Sequence, residues 1–223
     1  MARIVYEDGR NPVEFDPGVE SISFFVDEVS PRLVTVYEFY QDTPTPAVTS
    51  ALGYLYGPDG ELIPDAVTIP YTAGINYSIR AQFALPFAAA GIYELEVNLV
   101  GSDFLIILDP VRIVVEERTG WHTLASARSG WREASASDVA LYGLLQIART
   151  AVIEYAPALT AEDVIPISYR EAQLLHARNV WNATAPAGSN GQIGSDGFAI
   201  QPKPLDWHVK QMLRPKRWPP AVA

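Results

Sequence analysis

Near residue 118 the spacing of apolar side chains changes from every second residue to every third or fourth. One stretch of backbone cannot serve both periods, because alternate residues share a strand face whereas residues three and four apart share a helix face. The sequence therefore predicts two domains of α+β class, joined near Arg118–Trp121: a β-sandwich over residues 1–118 and a small α-helical domain over residues 119–223. Charge divides at the same place. Residues 1–118 carry six arginines against 18 acidic residues, a balance of −12, while residues 119–223 carry ten basic and eight acidic residues, a balance of +2. The formal net charge of −10 is thus an average over two unlike halves.

In the first half the expected strands are Ser21–Val26, Leu33–Tyr40, Leu52–Tyr56, Ala66–Ile69, Asn76–Ala84, Ile92–Val100 and Val111–Glu116. Turn residues separate them, among them Gly57-Pro58-Asp59-Gly60, Thr43-Pro44-Thr45-Pro46, Thr72-Ala73-Gly74 and Gly101-Ser102-Asp103. Six to eight short strands at such spacing point to a sandwich. Along Ile92–Val100 the alternation puts Tyr93, Leu95, Val97 and Leu99 in the core and Ile92, Glu94, Glu96 and Asn98 outside. The run Ala90-Gly91-Ile92-Tyr93 resembles the Gly-x-Tyr corner of immunoglobulin-like domains, which implies a tyrosine hydroxyl bonded back to nearby backbone. The aromatics Tyr37, Phe39, Tyr40, Tyr54, Tyr56, Tyr71 and Tyr77 read as strand residues shared between the core and one wet face. The acid pairs Asp27/Glu28 and Glu116/Glu117 are adjacent, so on a strand they point to opposite faces and make poor paired catalytic carboxylates.

The second half begins with a short helix carrying Trp121 and Trp131 near its ends. A longer one, Val139–Tyr155, is opened by Ser137-Asp138 and ended by Pro157. A third follows Pro166, with a capping box expected from Ser168 and Glu171, and runs to about Asn182. A glycine-rich loop over residues 186–199 leads to a last helical piece, Leu205–Leu213, stopped by Arg214-Pro215. The tail 203–223 is basic, with five Lys/Arg against Asp206. All five tryptophans, at 121, 131, 181, 207 and 218, lie in this half, more than a thin helical core needs. Exposed Trp beside Arg and Lys is the chemistry of partner anchoring. The residues assigned to partner binding are Trp207, Lys210, Arg214, Trp218, Tyr155 and Arg178.

This half resembles the head–tail adaptor (head-to-tail connector) proteins of tailed bacteriophages. The ordered matches are Trp121-x-x-Leu124 and Trp131, then Asp138-Val139-x-x-Tyr142-x-x-Leu145 running to Glu154-Tyr155-Ala156-Pro157. They continue with Pro166-x-x-Tyr169-Arg170-x-Ala172-Gln173 and Ala177-Arg178-x-x-Trp181, and end with Pro204-Leu205-Asp206-Trp207-x-Val209-Lys210-x-x-Leu213-Arg214-Pro215. The resemblance covers residues 119–223 and leaves the acidic sandwich as an added domain. It implies a structural virion protein, assembled in the host cytoplasm and placed at the head–tail interface. It further implies a homo-oligomeric ring of twelve that docks on the portal protein and receives the next tail-completion (stopper) protein. DNA would pass through such a channel without specific binding, and the N-terminal domain would be free to contact the capsid. The rival reading is a binding module whose sandwich recognises a glycan or a capsid or tail surface, with the helical part as its stalk.

Enzyme signatures fail, so no catalytic, cofactor or metal site is expected. With no cysteine, thiolate chemistry is excluded. His122, His176 and His208 lie on separate segments without a His-Glu-x-x-His spacing. The glycines at 188, 191, 194 and 197 form no phosphate loop, and Ser195 sits in turn chemistry and not in a nucleophile elbow. No run approaches 18 apolar residues, so no membrane partner is expected, and the opening MARIVYEDGRNPVEFD lacks the layout of a secretory signal.

Overall fold

The computed structural model describes residues 2–4, 13–16, 22–30, 33–39, 48–71, 78–102, 105–160, 163–184 and 204–214. Several expectations lie outside those residues: Ser21, Tyr40, Tyr77, the turns Thr43–Pro46 and Thr72–Gly74, the loop 186–199, Lys203 and the tail beyond Arg214 with Trp218. The fold is mixed α+β. By contacts the chain forms two compact units, Met1–Glu117 with Ser137–Val139 and Arg118–Ala136 with Ala140–Ala223.

The first unit holds β1 (Ala2–Ile4), β2 (Val13–Asp16), β3 (Ile22–Phe25), β4 (Leu33–Phe39), β5 (Val48–Tyr56) and β6 (Leu62–Ile63). It continues with β7 (Val67–Thr68), β8 (Ser78–Phe83), β9 (Gly91–Gly101), β10 (Leu105–Ile107) and β11 (Val111–Glu116). One sheet runs β1-β2-β4-β8-β7 and the other β3-β11-β9-β5-β6, with β10 also on β9. The β3–β11 pair is parallel. Four strands were not expected from the sequence: β1, β2, β6 and β10. They are two to four residues long, too short for an alternation to register.

Side chains from both sheets share one buried cluster that includes Phe24, Tyr37, Ile79, Phe83, Leu95 and Ile113. Tyr93, Leu95, Val97 and Leu99 all point into it, as the alternation along β9 requires. The aromatic rings of Phe24, Phe83, Phe87 and Tyr93 meet at centroid distances of 5.0–6.1 Å, the tilted and edge-on geometry that their quadrupoles favour. The ladder of β4 against β8 shifts register between Thr35 and Tyr37. That irregularity lets the neighbours Val36 and Tyr37 both face inward, which a regular strand forbids. The Tyr37 hydroxyl donates to the Asp109 carbonyl, and burial followed by the nearby Asp109 carboxylate raises its pKa.

The Tyr93 hydroxyl donates to the Ala89 carbonyl at 2.8 Å, closing the corner before β9. Gly91 is fixed by close approach: a Cβ there would stand 2.5 Å from Pro58 Cγ in the β5–β6 turn. That turn closes with Gly60 N–H donating to the Gly57 carbonyl at 2.9 Å and Gly60 at φ +80.

The second unit contains α1 (Leu124–Gly130), α2 (Asp138–Tyr155, apart from its first two residues), α3 (Ile167–Thr184) and α4 (Trp207–Leu213). Trp121 and Trp131 flank α1 and do not lie on it; both are buried. Thr123 caps α1 in a capping box with Ser126, whose side chain accepts from the Thr123 N–H at 2.9 Å. The capping box expected at Ser168 and Glu171 does not form. The Pro166 carbonyl accepts from Tyr169 N at 3.0 Å and Arg170 N at 3.3 Å, so the helix has already begun and Ser168 lies inside its first turn. Pro166 thus stands at the N-cap, its carbonyl taking the first helical bond, two residues before Ser168 could serve as a cap.

Trp121, Val152, Ala156, Tyr169, Ala172, Leu205, Val209 and Leu213 form one buried cluster, which ties α4 to α2 and α3. A buried amide crosses this unit. Gln173, 1% exposed on α3, accepts from His122 N–H at 3.0 Å and donates to the Leu145 carbonyl of α2 at 3.0 Å.

Candidate docking surface

α4 is only seven residues long and cannot hold its shape alone. Two devices fix it. Asp206 at the N-cap accepts from Val209 N at 2.8 Å with one carboxylate oxygen, and the other accepts from the Asn179 amide of α3. Leu205, Val209 and Leu213 are buried beneath it. The sequence half-shows the first device, since Asp before a short apolar run is a cap signal. The Asn179 contact spans 27 positions and has no sequence signature.

With Val209 and Leu213 committed to the core, Trp207 and Lys210 fall three apart on another stripe of α4, and Arg214 follows four residues on as the C-cap, with its backbone already outside the helical region (φ −133, ψ 74). Trp207 is 72% exposed. The Lys210 Nζ lies 5.8 Å from the Tyr155 ring centre and the Arg214 guanidinium 5.0 Å from it. The fold therefore brings together three of the residues singled out from sequence, Tyr155, Lys210 and Arg214, and places Trp207 on the same short helix. Both cations rest on an aromatic face, a geometry worth about 0.5–1 kcal/mol at exposed sites. It holds two flexible basic side chains in place, so less side-chain entropy is lost when a partner arrives. Arg178 is exposed on α3, next in sequence to Asn179, and the stack on Tyr155 does not include it.

Beside the cluster runs an open groove of about 810 Å³. Ile147, Ala151 and Leu205 give it an apolar floor, and Gln146, Thr150, Glu154 and Lys210 give it polar walls. Of these, Gln146, Ile147, Thr150 and Ala151 were not singled out from sequence, whereas Glu154 belongs to the Glu154-Tyr155-Ala156-Pro157 match. Thr150 and Glu154 occupy the polar positions of an amphipathic helix, which sequence alone assigns to solvent.

The other tryptophans divide clearly. Trp121 and Trp131 are core residues, Trp121 with the Arg149 guanidinium 5.6 Å from its ring centre. Trp181 is half-buried on α3. The histidines gather no metal-binding set; among the described residues no group of three or more His, Asp or Glu side chains is placed to hold an ion. His122 Nδ1 lies 3.0 Å from Ser126 Oγ. Its pKa is lowered by burial first and by Arg170 second, against a smaller raising effect from Glu171. Asp163, in the α2–α3 connection, is held below the usual carboxylate range by hydrogen bonds from the Thr160 backbone and hydroxyl. Among the described residues no helix is long and apolar enough to cross a membrane.

No protein-family model matches the chain, and no curated protein matches it.

Proposed function

We propose that this chain is a structural virion protein, a head–tail adaptor of a tailed bacteriophage. On this reading it forms a ring that joins the portal to the next tail-completion protein, and it works by docking without chemical turnover. The observation that carries the reading is the α4 stripe: an exposed Trp207 in line with Lys210 and Arg214, both stacked on Tyr155. Trp and Arg anchors on a rigidly held short helix are the composition of an interface hot spot. Conformational support comes from below, where the cap at Asp206 and the buried Val209 and Leu213 fix the helix axis.

The first unit is proposed to be an immunoglobulin-like domain added to the adaptor. The strand orders β4-β8-β7 and β11-β9-β5-β6 support this, as does the hydroxyl of Tyr93 bonded back to Ala89. The test is binding to the cognate portal. Trp207→Ala with Arg214→Ala is expected to weaken capture of the full chain by at least about tenfold, with folding unchanged by circular dichroism. Undiminished capture by the folded double variant would remove the α4 stripe from the reading.

A further inference from the structure

The solvent face of the β3-β11-β9-β5-β6 sheet is unusual for an acidic domain. Its rows follow from the register. Leu62, Tyr56, Glu94 and Arg112 stand side by side across β6, β5, β9 and β11. The next row is Tyr54 and Glu96, and the next is Leu52, Asn98 and Ile107. A last row holds Ser50, Val100 and Leu105. Four of the ten large apolar side chains most exposed among the described residues lie on this one face: Leu52, Leu62, Leu105 and Ile107, between 46% and 60% exposed. An apolar face of this kind on a sheet marks an interaction site. Within it stand two carboxylates, Glu94 and Glu96, against one guanidinium, Arg112, and the adjoining β5–β6 turn exposes Asp59 and Glu61.

We propose that this face receives the α4 stripe of a second copy of the chain. The two surfaces are complementary in charge and in spacing. Lys210, in the last turn of α4, and Arg214, its C-cap, whose N–H donates to the Lys210 carbonyl, stand one turn apart, about 6 Å along the axis. Glu94 and Glu96, two residues apart on one strand face, are separated by about 6.8 Å. The backbone spacings match, and both cations are gathered within 5.8 Å of one Tyr155 ring centre, so on this proposal the pair faces the two carboxylates while Trp207, three residues before Lys210, is carried onto the apolar rows. The sizes agree as well. Seven helical residues span about 10 Å, and the face runs about 20 Å from Ser50 to Tyr56 and about 14 Å across four strands. A contact of this size is weak by itself. It joins unlike surfaces, so it repeats from copy to copy and closes only as a ring. The sandwich then serves to link each copy to the next.

The proposal rests on the docking role given to Trp207, Lys210 and Arg214 above, and it fails separately from the portal assay because it concerns the chain without any portal. The experiment is sedimentation velocity on the full chain at concentrations up to about 1 mM, the weak end of specific association. The wild type is expected to gain mass with concentration, and to lose that gain as salt rises from about 0.01 M to about 1 M. Lys210→Glu with Arg214→Glu, and separately Glu94→Lys with Glu96→Lys, are each expected to weaken association by about tenfold or more. An equimolar mixture of the two double variants is expected to associate again, because every contact between unlike variants is complementary. Wild type that stays monomeric at all concentrations overturns the proposal. So does association that neither reversal weakens, or a mixture that stays monomeric although both variants fold. Where a reversal fails to fold, Glu94→Gln with Glu96→Gln and, separately, Trp207→Ala replace it. Each should then weaken association at low salt, and unchanged association in both overturns the proposal.

Discussion

Gln173 offers the sharpest test of how the helical unit is held. Its amide bridges the segment before α1 and helix α2, accepting from His122 N–H at 3.0 Å and donating to the Leu145 carbonyl at 3.0 Å. Gln173→Leu keeps nearly the same volume and removes both bonds. The Leu145 carbonyl retains its helical partner one turn on, so that loss is small. The His122 N–H has no such reserve, and a buried donor left without an acceptor costs about 1–3 kcal/mol. Better transfer of leucine from water offsets part of this, on the order of 1 kcal/mol. The net expectation is a loss of about 1–2 kcal/mol, or a fall in Tm on the order of 10 °C for a unit of this size.

Gln173→Glu should be worse at neutral pH, since its carboxylate turns an acceptor toward the Leu145 carbonyl. Its folded pKa is thereby raised, so its deficit grows as pH rises above about 4.3 and shrinks as pH falls toward that value. The assay is urea unfolding followed by tryptophan fluorescence. All five tryptophans lie beyond residue 120, so the signal reports on the helical half alone. If Gln173→Leu unfolds within about 0.5 kcal/mol of wild type, the range of a neutral surface change, the bridge does not hold the unit together.

Four further outcomes follow from the same contacts. Tyr93→Phe removes the bond to Ala89 and should destabilise the sandwich by about 0.5–1.5 kcal/mol, read by tyrosine fluorescence or calorimetry. Gly91→Ala must push against the Pro58 ring and should cost about 1–3 kcal/mol in the same assays; a neutral result would contradict the close approach. His122 has a lowered folded pKa, so the unfolded chain binds its proton first. Stability of the helical unit should be full above the ordinary value of 6.5 and decline as pH falls through it toward the folded pKa; His122→Gln should flatten that slope in pH-dependent denaturation. Trp207→Ala should change unfolding free energy by no more than about 0.5 kcal/mol, because the side chain is 72% exposed, while docking is weakened.

How far the sequence spoke depended on whether a signal was periodic. The core residues of β9 were legible because four alternate apolar side chains were interleaved with Glu94, Glu96 and Asn98. The apolar spacing of α2, Leu141, Leu144, Leu145, Ala148, Val152 and Tyr155, was legible for the same reason: the first five are buried, and only Tyr155, at the helix end, is half-buried. Cap chemistry was only partly legible. A serine and glutamate three apart after Pro166 resemble a capping box, but the proline had already set the first turn, and the box formed at Thr123 and Ser126. The outer two residues of the candidate stripe, Trp207 and Arg214, stood out by type. That Lys210 and Arg214 rest on Tyr155 did not, because the contact joins residues 55 and 59 positions apart. Gln173 was hidden for a related reason: a polar residue on a helix reads as solvent-facing until its partners in two other segments are known.

Whether the chain joins a portal in ring form decides the adaptor role most directly. Mass photometry of the purified full chain mixed with its cognate portal measures this in one step. The adaptor reading predicts a discrete complex heavier than the portal ring by a fixed multiple of the chain's 24.4 kDa, diminished by Trp207→Ala with Arg214→Ala. Portal and chain that remain separate at every mixing ratio would contradict it.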